Sequence, residues 1–127
     1  MQIRSSPSLF CLVLAATLLA ACSAGTTPTP TFTPLELHGQ AVFNLRCAQC
    51  HALTPDTIVI GPSLAGVASR AGSRMEGYDA PGYIEHSILF PKDYIVAGFP
   101  DTMPTNFGKE LTSEELDAVV AFLMTMK

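Results

Sequence analysis

The chain has 127 residues, and its 7 basic and 11 acidic residues leave a net charge of −4. That length allows one small domain. The acidic balance excludes a nucleic-acid binder, which needs basic residues against phosphates, and four cysteines, one in an N-terminal apolar run and one at its end, are too few for a disulfide scaffold.

Arg4 is the only charge before an apolar run of 13 residues, Leu9 to Ala21, broken only by Thr17. Such a run is too short to span a bilayer and fits the apolar region of an export signal. It ends in Leu19-Ala20-Ala21-Cys22. That ending resembles the bacterial lipoprotein signal, in which an aliphatic residue and two small ones precede the cysteine that becomes the acylated N-terminus. The alternative is an ordinary cleavage site beside an incidental cysteine, which would leave a reactive thiol exposed after export. Residues 1–21 are therefore expected to be a lipoprotein-type signal peptide, with Cys22 the lipidated residue and the bilayer its partner. Residues 22–33 continue as a linker. Its stretch SAGTTPTPTFT, Ser23 to Thr33, is expected to be extended and polyproline-like, at ~3 Å per residue reaching on the order of 30 Å. The expected location is exported and lipid-anchored to a membrane, facing the periplasm or extracytoplasmic space.

Residues 34–127 form the expected domain. A first helix is predicted over about Pro34 to Cys50, with Thr33 as N-cap, Pro34 in the first helical position and Glu36 completing a capping box. A second is predicted over about Pro81 to Leu89, capped by Asp79 and stopped by Pro91, with Ile84, Ile88 and Leu89 at helical spacing. The third is the clearest. Thr112 and Glu115 form a capping box, Leu111 can staple onto Leu116, and Leu116, Val119, Val120, Leu123 and Met124 make an apolar stripe. The stretches 54–80 and 90–110 read as long loops rich in Gly, Pro, Ser and Asp, and only Thr57 to Ile60 could pass for a strand. Two such loops in 94 residues make sense if they wrap something that is not protein.

Residues 47–51 read CAQCH, and Cys47 and Cys50 are the only cysteines of the domain. Three chemistries use a Cys-x-x-Cys pair. Thiol–disulfide exchange places it in a βαβ pattern, which is not visible here. Structural zinc needs two further ligands; His38 and His86 exist, but there is no second paired motif. In covalent haem attachment two thiols at i and i+3 meet the two vinyl groups, and the next residue presents an imidazole to the iron. The histidine at position 51 favours this third reading, with Cys47, Cys50 and His51 as the binding residues and one haem c per chain.

A methionine thioether is the soft sixth ligand that raises the potential of such an iron. Met124 and Met126 lie on or beside the last helical stripe, and Met75 stands in a polar turn between Arg74 and Glu76. Met103 lies in FPDTMPTNF, where Pro104 stiffens the chain directly after it and the 52 residues from His51 can pass around a haem. Met103 is the expected ligand; His38 and His86 are rivals on helices.

Taken together these elements resemble a class I cytochrome c over nearly all of residues 35–127. Gly39 and Phe43 stand where that family's first helix crosses its last. CAQCH follows, then Gly61-Pro62-Ser63-Leu64, then Tyr83-Ile84, Met103-Pro104 and Phe122-Leu123. The resemblance implies an all-α fold of three to four helices with long loops wrapped around one covalent haem. It implies that the Pro62 carbonyl accepts the ring N–H of His51, and it makes Tyr83, Tyr94, Arg70 and Arg74 candidates for contacts with the haem propionates or the Met sulfur. Gly82 to Phe107 is similar to monohaem domains built into bacterial respiratory complexes, such as the lipid-anchored haem subunit of alternative complex III and the domain fused to cytochrome oxidase subunit II. One departure matters. Mitochondrial-type carriers are lysine-rich around the haem edge, whereas residues 22–127 carry six basic against eleven acidic residues. Partners with an apolar or basic surface are expected.

The implied function is membrane-anchored, single-electron transfer in a respiratory or photosynthetic chain by a His/Met-ligated haem, through membrane-bound or periplasmic redox proteins. No catalytic residue, small-molecule substrate or nucleic acid is expected. The alternatives are an integral haem c subunit of a quinol-oxidising or oxidase complex and, in another class, an open-site haem peroxidase or gas sensor.

Overall fold

A computed structural model describes residues 31–127. The expected signal peptide, Cys22 and nearly all of the linker lie outside the described residues. Within them the chain forms α1 (Pro34–Arg46), α2 (Val67–Arg70) running into a 3-10 turn (Ala71–Ser73), α3 (Ala80–Leu89), α4 (Phe107–Glu110) and α5 (Ser113–Leu123). There is no strand among the described residues. Thr57 to Ile60 contributes only an isolated antiparallel bridge between Ile58 and His51.

The two long terminal helices begin as local chemistry dictates. At α1 the Glu36 amide donates to Thr33 Oγ1 at 3.3 Å, and the Thr33 amide donates to Glu36 Oε2 at 2.6 Å. At α5 the Glu115 amide donates to Thr112 Oγ1 at 3.2 Å, and the Thr112 amide donates back to Glu115 Oε2 at 2.9 Å. Each box satisfies two amides that a helix start leaves without partners. The Thr112 amide and hydroxyl hold the Glu115 carboxyl below the usual carboxylate range. Asp79 caps α3 by accepting from the Gly82 amide at 2.9 Å.

Helices α1 and α5 cross in contact, and this crossing carries the core. A Cβ on Gly39 would lie 1.9 Å from the Ala118 carbonyl oxygen and 2.8 Å from Phe122 Cβ. The backbones therefore meet at a distance only glycine permits. One turn on, the Phe43 and Phe122 rings lie 5.7 Å apart, and Phe32 closes edge-on to Phe122 at 5.8 Å.

Three expectations are adjusted. The first helix ends at Arg46 rather than Cys50, because the Cys47 and Ala48 amides both turn back to the Phe43 carbonyl and the chain tightens into a turn. The most buried residues of α5 are Ala118, Val119, Phe122 and Leu123, while Leu116, Val120 and Met124 are only partly buried. The close approach at Gly39 rotates the buried face toward small Ala118. The loop 54–80 contains α2 and its 3-10 turn, and 90–110 contains α4.

Candidate cofactor site

After α1 the Cys50 and His51 amides both donate to the Cys47 carbonyl, each at 3.0 Å. This wraps CAQCH into one compact turn. The following loop is stitched onto it: the Ile60 and Gly61 amides donate to the Cys50 carbonyl at 3.2 and 2.9 Å, and the Leu64 amide donates to Ala52 at 2.8 Å. Those bonds bring the Pro62 carbonyl to 2.8 Å from His51 Nδ1. A carbonyl only accepts, so Nδ1 carries the proton and Nε2 keeps its lone pair. Gly61 lies against the ring, where a Cβ would stand 2.5 Å from His51 Cε1.

His51 and both cysteines line a cleft of about 1520 Å³, part of it open to solvent. Val67 and Ala71 from the α2 segment line it, with Tyr83, Ile84, Ser87 and Ile88 from α3 and Tyr94, Phe99 and Met103 from the loop between α3 and α4. Burial, and then the neighbouring Cys50, push the Cys47 thiol up to about 11. No group of three or more His, Cys, Asp or Glu side chains among the described residues could hold a metal ion.

Of the methionines in the described residues, only Met103 stands in the cleft wall; Met75, Met124 and Met126 pack against the core. His86 is turned away and occupied. Its Nδ1 pairs with the Tyr78 hydroxyl at 3.1 Å and its Nε2 with Asp93 Oδ2 at 2.9 Å. His38 is exposed on α1, outside the cleft. Sequence reasoning missed Ser87, whose Oγ is buried without a hydrogen-bond partner among the described residues. Its position four residues after Tyr83, on the same helical face, was the available signal.

The family model for cytochrome c matches residues 37–127. The chain belongs to the cytochrome c family. Comparison with curated proteins finds no match. This cytochrome c has the all-α class I fold, and its family binds haem c covalently through a CxxCH motif; Cys47 and Cys50 are spaced like one. Its cleft fits that group on its own terms. The walls are mainly apolar, the paired thiols stand beside an imidazole with a free nitrogen, and glycine at position 61 leaves that imidazole its space. Haem c, once bound, supplies a one-electron ferric–ferrous couple. Electron transfer is the general activity of the family.

Proposed function

We propose that this cytochrome c is a membrane-anchored, monohaem electron carrier whose iron is held by His51 and Met103. The observation that carries the reading is the cleft wall, where Met103 is the one methionine of the described residues to join His51. The chain's residues divide the work. The Pro62 carbonyl fixes the His51 tautomer and aims Nε2, and the hydrogen bond it accepts raises the basicity of the ring. Met103 supplies a soft thioether that favours the reduced state. Val67, Ile84, Ile88 and Leu123 exclude water and keep the local dielectric low. Were His51 and Met103 both to hold the iron, no position on it would be left for a substrate.

Electrons exchange at the edge beside Cys47 and Cys50. The segment tied to the CAQCH turn by the Ile58–His51 bridge and the Ile60 amide on the Cys50 carbonyl, Ile58-Val59-Ile60, is exposed at 69, 51 and 49 %. Three adjacent aliphatic residues on an acidic protein suit a partner with an apolar or basic docking face. The partners are membrane-bound or periplasmic redox proteins of a respiratory or photosynthetic chain.

The Met103 ligand is tested by the weak near-infrared band of methionine sulfur on ferric haem. It is expected in the wild-type holoprotein and absent from Met103→Ala. Fast carbon monoxide binding to the reduced wild type would instead indicate an open iron site and the peroxidase or sensor reading. The anchor rests on Leu19-Ala20-Ala21-Cys22. Mass spectrometry of the membrane fraction is expected to find a mature N-terminus at Cys22 carrying acyl chains. An unmodified Cys22 there removes the anchor from the reading.

A further inference from the structure

Residues 91–105 run from the end of α3 toward α4 and put Met103 in the cleft wall. They form no helix or strand. Their backbone hydrogen bonds are local: the Asp93 amide donates to Phe90 at 3.1 Å, Phe99 to Val96 at 3.1 Å and Thr102 to Pro100 at 3.0 Å. Among the described residues, no backbone hydrogen bond ties this segment to the chain beyond Phe90. A segment without such ties moves easily unless side chains fasten it.

One histidine does so. His86 stands in the last turn of α3, and its Nε2 lies 2.9 Å from Asp93 Oδ2. A carboxylate only accepts, so Nε2 is the donor, and in the neutral ring Nδ1 accepts from the Tyr78 hydroxyl at 3.1 Å. The Tyr78 and Phe90 rings lie 4.8 and 5.0 Å from the imidazole. The His86 side chain is only 18 % exposed, so water competes little for its two bonds. The bond to Asp93 is the one hydrogen bond or ion pair, among the described residues, between 91–105 and the chain beyond Phe90. From there the hold is carried toward the methionine. Lys92, next to Asp93, places Nζ 3.0 Å from Oδ2 of Asp101, two residues before Met103. Such an exposed pair contributes little alone. It matters because its near end is already fixed. Tyr94 adds an edge-on contact with Tyr83 of α3 at 5.8 Å.

We infer that His86 is a positioning residue for Met103: through Asp93 it fastens to α3 and Tyr78 the segment that carries the thioether. Neither His86, Asp93 nor Tyr78 lines the cleft, so their effect on it passes through that segment. The consequence at the iron rests on Met103 as ligand, and the hold on the segment does not.

The test is amide hydrogen exchange of the full holoprotein, read by mass spectrometry, in wild type, His86→Ala, His86→Gln and Asp93→Ala. Peptides over 94–105 are expected to exchange about tenfold faster in both alanine variants, the scale of one hydrogen bond to a charged group. Helices α1 and α5 are expected to keep their wild-type rates. His86→Gln can still donate to Asp93 and is expected to fall between. Carbon monoxide binding to the reduced protein is expected to quicken by a similar factor in the alanine variants, because the gas must wait for Met103 to leave. Wild-type exchange over 94–105 in either alanine variant overturns the inference, and so does faster exchange shared equally by α1 and α5. If His86→Ala does not mature, Asp93→Ala, a change at a side chain 55 % exposed, decides alone. Faster exchange without faster carbon monoxide binding, where wild type shows the near-infrared band, overturns the role toward Met103. A wild type without that band removes Met103 as ligand, and exchange then decides the hold on the segment by itself.

Discussion

Gly39→Ala is expected to destabilise the holoprotein by about 3 kcal/mol, at the upper end of what overpacking costs. For a domain of this size that lowers the thermal midpoint by roughly 12 °C or more. The added Cβ would stand 1.9 Å from the Ala118 carbonyl oxygen and 2.5 Å from its carbon. Both are backbone atoms, so no rotamer change relieves the clash. Helix α1 must move away from α5, and the contact between Phe43 and Phe122, each nearly fully buried, opens with it. Alanine is the better helix former by about 1 kcal/mol, which makes the expected loss a tertiary effect opposed by local propensity. Gly108→Ala is the control. Its Cβ would meet only the tip of Leu89 at 3.4 Å, an ordinary contact. Denaturant unfolding followed by circular dichroism compares the two, and equal midpoints would rule out the close helix crossing.

Gly61→Ala is expected to act on the haem rather than on the core. The new Cβ would stand 2.5 Å from His51 Cε1 and 2.9 Å from Nδ1. The ring cannot keep both its place and its bond to the Pro62 carbonyl, because the Ile60 and Gly61 amides tie the loop to Cys50 from the other side. Under the proposed His51 ligation, loss of that bond would make the imidazole a weaker donor to the iron, and the reduction potential is expected to rise. The displaced ring also lowers the yield of haem-loaded protein. Redox titration and the haem-to-protein ratio measure both effects. A variant with wild-type potential and full loading would mean that His51 is not held by this loop.

The contrast between these two glycines shows what a linear reading can reach. Gly39 was legible as part of a spaced family pattern, but the atom it avoids, the Ala118 oxygen, lies 79 residues away and is visible only when α1 and α5 cross. Helix α2 left no signal. It has four residues and is entered through Gly66 at a φ of +67°, without a side-chain cap. The overlong first helix has a similar cause. Its end is set by the Cys47 and Ala48 amides competing for one Phe43 carbonyl, a choice that apolar periodicity does not record.

By itself the sequence determined the helix starts and the binding turn, which depend on near neighbours in the chain. The caps at Thr33, Asp79 and Thr112 require only residues three positions on, and CAQCH places two thiols and an imidazole within five consecutive residues. Tertiary structure decided what depends on distant partners. It set Met103 rather than Met75, Met124 or Met126 in the cleft wall, turned His86 to Tyr78 and Asp93, and gave Arg70 carbonyls while leaving Arg74 none. The physical reason is the range of the forces involved. Capping hydrogen bonds act within a turn, so composition and order specify them. Burial and charge pairing depend on which segments the fold brings within a few ångströms, and only the packed chain specifies that.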